Sequence, residues 1–179
     1  MSRLKELYKK QVIPAMKKKF GYTNDLAVPK LLKVTINSGT SKALKDDKFL
    51  DTVVDTLTRI SGQKVVLTKA KKSVAAFKIR EGMTVGVKVD LRGARMYDFV
   101  DKFVNVSMAR IRDFRGIDKK SVGSDGNLSI GFKEHIVFPE IKSDEIEKIH
   151  GLEVVISNSA KTREEGLELL TLLGFPFIK

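Results

Sequence analysis

Met83-Thr84-Val85-Gly86-Val87-Lys88-Val89-Asp90-Leu91 alternates apolar residues with polar or small ones over its whole length. Successive strand side chains point to opposite faces, so Met83, Val85, Val87, Val89 and Leu91 share one face while Thr84, Lys88 and Asp90 share the other. A strand of a doubly wound parallel sheet, covered on both faces, reads instead as a continuous apolar run. This one predicts a sheet with a single covered face. Leu32, Val34 and Ile36 repeat the pattern against Lys33, Thr35 and Asn37, as do Leu128, Ile130 and Phe132 and, further on, Leu152, Val154 and Ile156. Val65–Thr68 reads as a shorter strand.

Helical spacing fills much of the remainder. Leu4, Leu7, Tyr8, Val12, Ala15, Met16 and Phe20 mark one amphipathic segment. Pro14 kinks it or starts its second half, and Gly21 with Thr23-Asn24-Asp25 ends it. Residues 46–60 carry Phe49, Leu50, Val53, Val54, Leu57 and Ile60 at helical intervals before the stop at Ser61-Gly62. A helix over 94–111 is expected to bury Tyr97, Val100, Phe103, Val104, Ser107 and Ile111. Thr162-Arg163-Glu164-Glu165 is a capping box opening a last helix with Leu167, Leu169, Leu170 and Leu173, closed by Gly174 and Pro176. Ser38–Ser41 and the polar, Gly-rich Asp113–Asn127 read as loops. Lys69–Gly82 is a basic stretch with β character around Val74–Arg80. Elements alternate irregularly, without equal βα units or a repeat. The expectation is one α+β domain over residues 1–179, with projecting loops at about 69–82 and 113–127. Its sheet is largely antiparallel, with helices packed on one face and an opposite polar face.

Charge narrows the function. The 179 residues are 42% hydrophobic and carry a formal +12. That excess is uneven: residues 1–80 hold a net +13, residues 81–120 a net +3 and residues 121–179 a net −4. Concentrated cations suit a polyanion, and nucleic acid is the commonest large one. The apolar content is too high for a disordered basic tail, and no run is long enough to span a bilayer. Met1–Leu7 lacks the apolar core of a secretory leader. With no cysteine, neither disulfides nor thiolate chemistry is available.

Catalytic patterns are missing as well. Nucleotide-binding glycine loops, a nucleophile elbow and a His-Glu metal motif are all absent from the sequence. Gly123–Gly126 reads as a turn, and His135 and His150 as ordinary surface or boundary residues. Asp46-Asp47, Asp144-Glu145 and Glu164-Glu165 stand where helix N-termini are expected, where the helix dipole accounts for them. No enzyme, cofactor or metal is expected.

The binding residues form a face, a loop and a patch. Lys33, Thr35, Asn37, Thr84, Lys88 and Asp90 project from the polar sides of two strands. There, small donors can meet sugar and base edges while lysines neutralise phosphates. Lys69, Lys71, Lys72, Lys78 and Arg80 surround Phe77, which either stacks on an exposed base or joins the core. Arg110, Arg112, Arg115, Lys119 and Lys120 make a third basic group. A basic membrane-surface protein fits less well, for want of an apolar stripe on a lysine-rich helix.

One further feature is a resemblance. Residues 57–73, LTRISGQKVVLTKAKKS, resemble the signature of the universal 5S-RNA-binding family, ribosomal protein five of the large subunit, in its bacterial form. FKIREG (77–82), LRGARMY (91–97), RIRDFRG (110–116), FPEI (138–141) and GFPFIK (174–179) look like the same family, in the same order. The resemblance implies a cytoplasmic ribosomal component of the central protuberance that binds 5S rRNA and contacts large-subunit rRNA. It further implies contact with P-site tRNA through a projecting loop, and with neighbouring ribosomal proteins, including one of the small-subunit head. Carried over by position, Asn37, Gln63 and Thr68 match polar positions of the family's 5S-facing surface, to which the strand-face and basic-segment readings add Lys33, Thr35, Lys64, Lys69, Lys71 and Lys88. Ser73, Phe77, Lys78 and Arg80 match by position the loop nearest tRNA, and the Arg110–Lys120 cations, read from charge, are expected to meet other RNA or a bridge. Asp90 stands where the family commonly has Thr, and Asn37-Ser38-Gly39-Thr40-Ser41 and Val122–Leu128 also depart from its usual wording. A free-standing RNA chaperone or translation regulator on the same fold is the alternative.

Overall fold

The computed structural model describes residues 2–40, 47–141 and 149–178. Ser41, Asp46, Asp144, Glu145 and Lys179, each given a role above, lie outside them, as does the side chain of Asp47. The fold is α+β, and its five-stranded sheet is largely antiparallel. The strands are β1 (Leu31–Gly39), β2 (Val66–Lys69), β3 (Thr84–Leu91), β4 (Leu128–Phe132) and β5 (Leu152–Asn158), ordered β2-β3-β1-β5-β4. The helices are α1 (Arg3–Leu7), α2 (Ile13–Phe20), α3 (Asp47–Ser61), α4 (Gly93–Lys102) and α5 (Arg163–Leu172). Two compact units divide the chain: Met1–Val34, Leu91–Ile130 and Val155–Lys179 in one, Thr35–Asp90 and Gly131–Val154 in the other.

In the first unit, α1 runs into α2 through a π turn, Tyr8–Val12. Pro14 explains the turn: without an amide hydrogen it cannot complete the α ladder, and the wider turn just before it absorbs the defect. Leu4, Tyr8, Val12 and Met16, each four residues on, form the buried stripe. The Tyr8 hydroxyl donates to Pro29 O at 3.0 Å, and burial pushes its pKa up to about 12, with Tyr97 adding to the shift. Gly21 ends α2 at φ 73°, a left-handed backbone that glycine adopts without steric cost.

After α4 the expected helix continues unevenly, widening in a π turn at Phe103–Ser107 and tightening in a 3-10 turn at Met108–Arg110. Its buried side differs from expectation. Met96, Phe99 and Met108 are core, Phe99 and Phe103 stack at 5.6 Å, and Val104 and Ile111 are only half-buried. Leu167 of α5 is half-buried too. The capping box is present: Thr162 Oγ1 accepts from Glu165 N, and Glu165 Oε2 accepts from Lys161 N at 2.9 Å. Burial alone would raise the Glu165 carboxyl, but bonds from the Tyr22 hydroxyl and the Lys161 and Thr162 amides, with the Lys161 charge, bring it below its ordinary value.

Residues 113–127 are tied down at several points. Ile117 and Val122 are buried, Ile117 bridges Phe177, and Ile117 N donates to Pro176 O at 2.7 Å. Gly126 lies so close to Gly166 that a Cβ on Gly166 would overlap Gly126 Cα. That contact brings the end of the segment against the first turns of α5.

In the second unit, Phe49, Val53, Leu57 and Ile60 of α3 are buried, as are Ile36, Val87, Val89 and Val154 of the sheet. The period-two reading of β3 holds from Val87 to Leu91, whereas Val85 is only half-buried and Gly86, on the opposite face, is buried. On β1 it holds from Val34 onward, but Leu32 is 42% exposed and Leu31 is buried instead. Ser38 and Gly39, expected in a loop, extend β1; Ser38 is buried and donates to Gly151 O at 2.7 Å.

The histidines overturn the surface expectation. His135 and His150 are 2% and 5% exposed, with rings stacked at 4.1 Å and 7° apart, and Phe49 meets His150 edge-on. His135 N donates to His150 O at 3.1 Å, so backbone pairing carries the two rings together. Among the described residues, His150 Nε2 is buried without a hydrogen-bond partner. Burial, aided by His135, pushes the His150 pKa from 6.5 down to about 4, and burial lowers His135 as well.

Between the ordinary value of 6.5 and about 4 the unfolded chain therefore binds more protons than the fold. Stabilisation from a neutral His150 is complete above the unfolded pKa and lost as pH falls through the folded one. Thermal melts should show His150→Phe losing less stability than the parent between pH 7 and pH 4.5, by about 2 kcal/mol. Parallel curves for the two proteins would refute the buried-imidazole account.

Candidate nucleic-acid interface

The register of β2 on β3 builds the polar face. Val66 pairs with Lys88, Leu67 with Val87, Thr68 with Gly86 and Lys69 with Thr84, antiparallel, with an irregularity between Thr68 and Lys69. Thr68 and Val66 therefore share a face with Gly86 and Lys88. From the other side, β1 contributes Asn37 and Thr35: the Asn37 Oδ1 lies 3.9 Å from where a Gly86 Cβ would stand, and Thr35 donates to Asp90. Lys33 precedes them on β1, half-buried. Gly86 is the floor of this face. A Cβ there would meet Thr68 Oγ1 at 2.8 Å and Ser38 O at 3.1 Å, so only glycine lets the Thr68 side chain and the β1 backbone at Ser38 keep their positions.

Gln63 and Lys64 follow Gly62, which ends α3 at φ 63°. Gln63 Nε2 donates to Asp90 O at 3.2 Å, which fixes the side chain at the β3 end of the face, while Lys64 is exposed. Asp90 is thus in contact with Thr35 through its side chain and with Gln63 through its carbonyl; its carboxylate lies 3.9 Å from Lys88 Nζ. Thr35, Asn37, Gln63, Thr68 and Lys88 are brought together, and Asp90 belongs with them. Gly86 and the 57%-exposed Val66 were not recognised as parts of this face, although their register opposite Thr68 and Lys88 follows once β2 and β3 are paired.

Lys69 and Lys71 lead away into an arm. Ala70 N donates to Met83 O and Gly82 N to Ala70 O, after which Val74 and Ile79 exchange bonds in both directions. Ser73 Oγ accepts from Glu81 N at 2.9 Å, closing the arm internally. A 3-10 turn, Ala75–Phe77, and Lys78 at φ 55° make the tip. Lys78 and Arg80 are exposed, Phe77 is 71% exposed, and Ile79 is half-buried. Phe77 is not core: it sits on the turn at the tip of the arm with its ring open to solvent.

The third group lies in the other unit. Arg110, Arg112, Arg115, Lys119 and Lys120 are exposed around the segment anchored by Ile117. Asp118 caps the turn under Lys120 N at 2.9 Å, and Arg163 donates to Lys119 O at 2.8 Å. Among the described residues, no cluster of metal-ligating side chains occurs. No described helix is long and apolar enough to cross a membrane.

Comparison with known proteins now bears on this arrangement. A family model described as "Ribosomal protein L5" matches residues 24–80, and a second model, for the C-terminus of the same ribosomal family, matches residues 84–177. The chain belongs to the ribosomal protein L5 family. It is 55% identical over 177 residues to the large ribosomal subunit protein uL5 of Carboxydothermus hydrogenoformans, covering 99% of each. It is 52% identical over 179 residues to the uL5 of a Thermoanaerobacter species, covering 100% of each, and 52% identical over 178 residues to that of Brevibacillus brevis, covering 99% of each. Membership of this L5 family makes the chain a ribosomal protein of the large subunit, resident with the ribosome in the cytoplasm, and not an enzyme.

Exposure of Phe77 on a self-closed arm sets a stability expectation. Phe77→Ala should change unfolding free energy by no more than about 0.5 kcal/mol in thermal or denaturant melts, as for surface substitutions generally. A loss of about 3 kcal/mol, the usual effect of truncating a core Phe, would return it to the core.

Proposed function

We propose that the chain binds 5S rRNA through the polar face of β1, β2 and β3 and acts as one structural domain of the large subunit. Lys33, Thr35, Asn37, Gln63, Lys64, Thr68, Lys69, Lys71 and Lys88 make the contact. The observation that carries this reading is the register that collects Asn37, Thr68 and Lys88 around the bare floor of Gly86. Three kinds of group meet there: an amide with donor and acceptor, hydroxyls, and a cation. Such a set matches ribose and base edges held beside phosphate. The net +13 of residues 1–80 supplies the attraction.

The arm, with Ser73, Phe77, Lys78 and Arg80, is assigned to P-site tRNA. Its cations have phosphates as partners, and an exposed aromatic offers a stacking surface. The Arg110–Lys120 group is assigned to large-subunit rRNA or to a small-subunit head protein. Exposed guanidinium groups suit either phosphate or carboxylate.

In filter binding with isolated 5S rRNA, neutralising on the order of 6 to 8 phosphates gives a log–log salt slope of roughly −4 to −7. A slope near −1 would refute the electrostatic reading. Asn37→Ala should weaken binding by about 1–3 kcal/mol while leaving that slope unchanged, because no cation is lost. Wild-type affinity in this variant would remove the polar face from the interface.

Replacing residues 73–80 with a short Gly-containing turn tests the arm. Folding and 5S binding should persist, and P-site tRNA retention on assembled ribosomes should fall. Normal retention by such ribosomes would refute the tRNA assignment.

A further inference from the structure

Asp90 is the least obvious member of a face meant for RNA, since its carboxylate repels phosphate. It is also where side chains of that face converge. Its Oδ1 accepts the Thr35 hydroxyl at 2.5 Å, its Oδ2 lies 3.9 Å from Lys88 Nζ, and its carbonyl holds Gln63 Nε2 at 3.2 Å. The Asp90 side chain is 34% exposed, so a ligand can reach this spot although it is partly withdrawn from water.

A threonine hydroxyl has one proton and two acceptor lone pairs. Bonded to Asp90, the Thr35 proton points at a carboxylate, and a charge-assisted bond of that length is among the stronger hydrogen bonds a protein makes. What Thr35 can still present is a lone pair. An ionised carboxylate likewise accepts only. Phosphate oxygens bring no proton to such a spot and share the sign of its charge. Ribose 2′-hydroxyls and exocyclic base amino groups do bring one. Lys88, on the same strand face, remains the cation for a neighbouring phosphate.

We propose that Asp90 is a positioning residue that makes Thr35 an obligate hydrogen-bond acceptor, so that this point of the face takes an RNA donor group, a 2′-hydroxyl or a base amino group, and turns phosphate away. The inference rests on the 5S-binding reading above. It changes the role of Asp90 from a defect in a basic surface to a determinant of what the surface reads.

Nucleotide-analogue interference on full-length 5S rRNA tests it with the intact chain. One RNA pool carries sparse 2′-deoxynucleotides. A second carries inosine for guanosine or purine riboside for adenosine, each lacking the exocyclic amino group. The wild-type chain should show a discrete position where one class weakens binding by roughly tenfold, and the responsive pool identifies the donor. Thr35→Val should erase that position and Asp90→Ala, which removes the side-chain acceptor for the Thr35 proton, should weaken it, whereas Thr35→Ser, which keeps the hydroxyl, should retain it. Melting curves confirm that each variant is folded, and the Ser variant separates loss of the acceptor from loss of packing. The same interference map in wild type, Asp90→Ala and Thr35→Val would overturn the proposal while leaving 5S binding intact. So would tighter binding by Asp90→Ala with an unchanged map, since Asp90 would then be only a repelling charge. Failure of the wild-type chain to bind 5S rRNA at all would instead refute the underlying reading, and this proposal with it.

Discussion

The pairing register of β2 against β3 is the constraint on which the rest depends. With Thr68 opposite Gly86 and Val66 opposite Lys88, the residues between them, Leu67 and Val87, turn to the other face. A slip of one residue would carry Val87 out of the core and bring Lys88 into it, because the side-chain period of a strand is two. Burying Lys88 without a partner would be costly. The core and the polar face are therefore specified by the same pairing. The arm depends on it too, since its first bonds, between Ala70, Gly82 and Met83, continue that ladder outward.

Much of this was legible from local chemistry. Thr162 at the start of α5, Gly21 and Gly62 after their helices, and the alternation of β3 from Val87 onward are each decided by a few neighbouring residues, and the structure agrees at every one. The polar face was legible for the same reason: period two sorts Thr35 from Ile36 and Lys88 from Val87 without knowledge of the partner strand. The histidines were not. His135 and His150 are fifteen residues apart in sequence, and only backbone pairing stacks their rings, so nothing near either residue announces burial. Leu31 and Leu32 exchange roles at the start of β1, where a strand end no longer obeys its own period. The contact of Gly126 with Gly166 joins two segments far apart in sequence, and each glycine read alone resembles an ordinary turn or helix residue.

Asp90 shows a different kind of limit. Residue type and face could be read from the sequence, but the direction of the Thr35 proton could not, since it depends on which side chain stands across from the hydroxyl. Counting charges on a surface treats each side chain as a fixed point. Hydrogen-bond polarity depends on the pair, and a neighbour can reverse what a hydroxyl offers without moving it.

The self-closure of the arm has a consequence for how such a protein can diversify. Val74 and Ile79 hold each other by main-chain bonds, and the tip beyond them contributes no side chain to the core. Sequence change at Ala75, Ala76, Phe77 and Lys78 is consequently uncoupled from the stability of the sheet below, apart from the left-handed backbone at Lys78. Gly86 is the opposite case. Any side chain there would displace Thr68 and raise the floor together, so folding and recognition would have to change in one step. One chain thus offers an adjustable extremity and an unadjustable centre, and new contacts can be gained at the first without renegotiating the second.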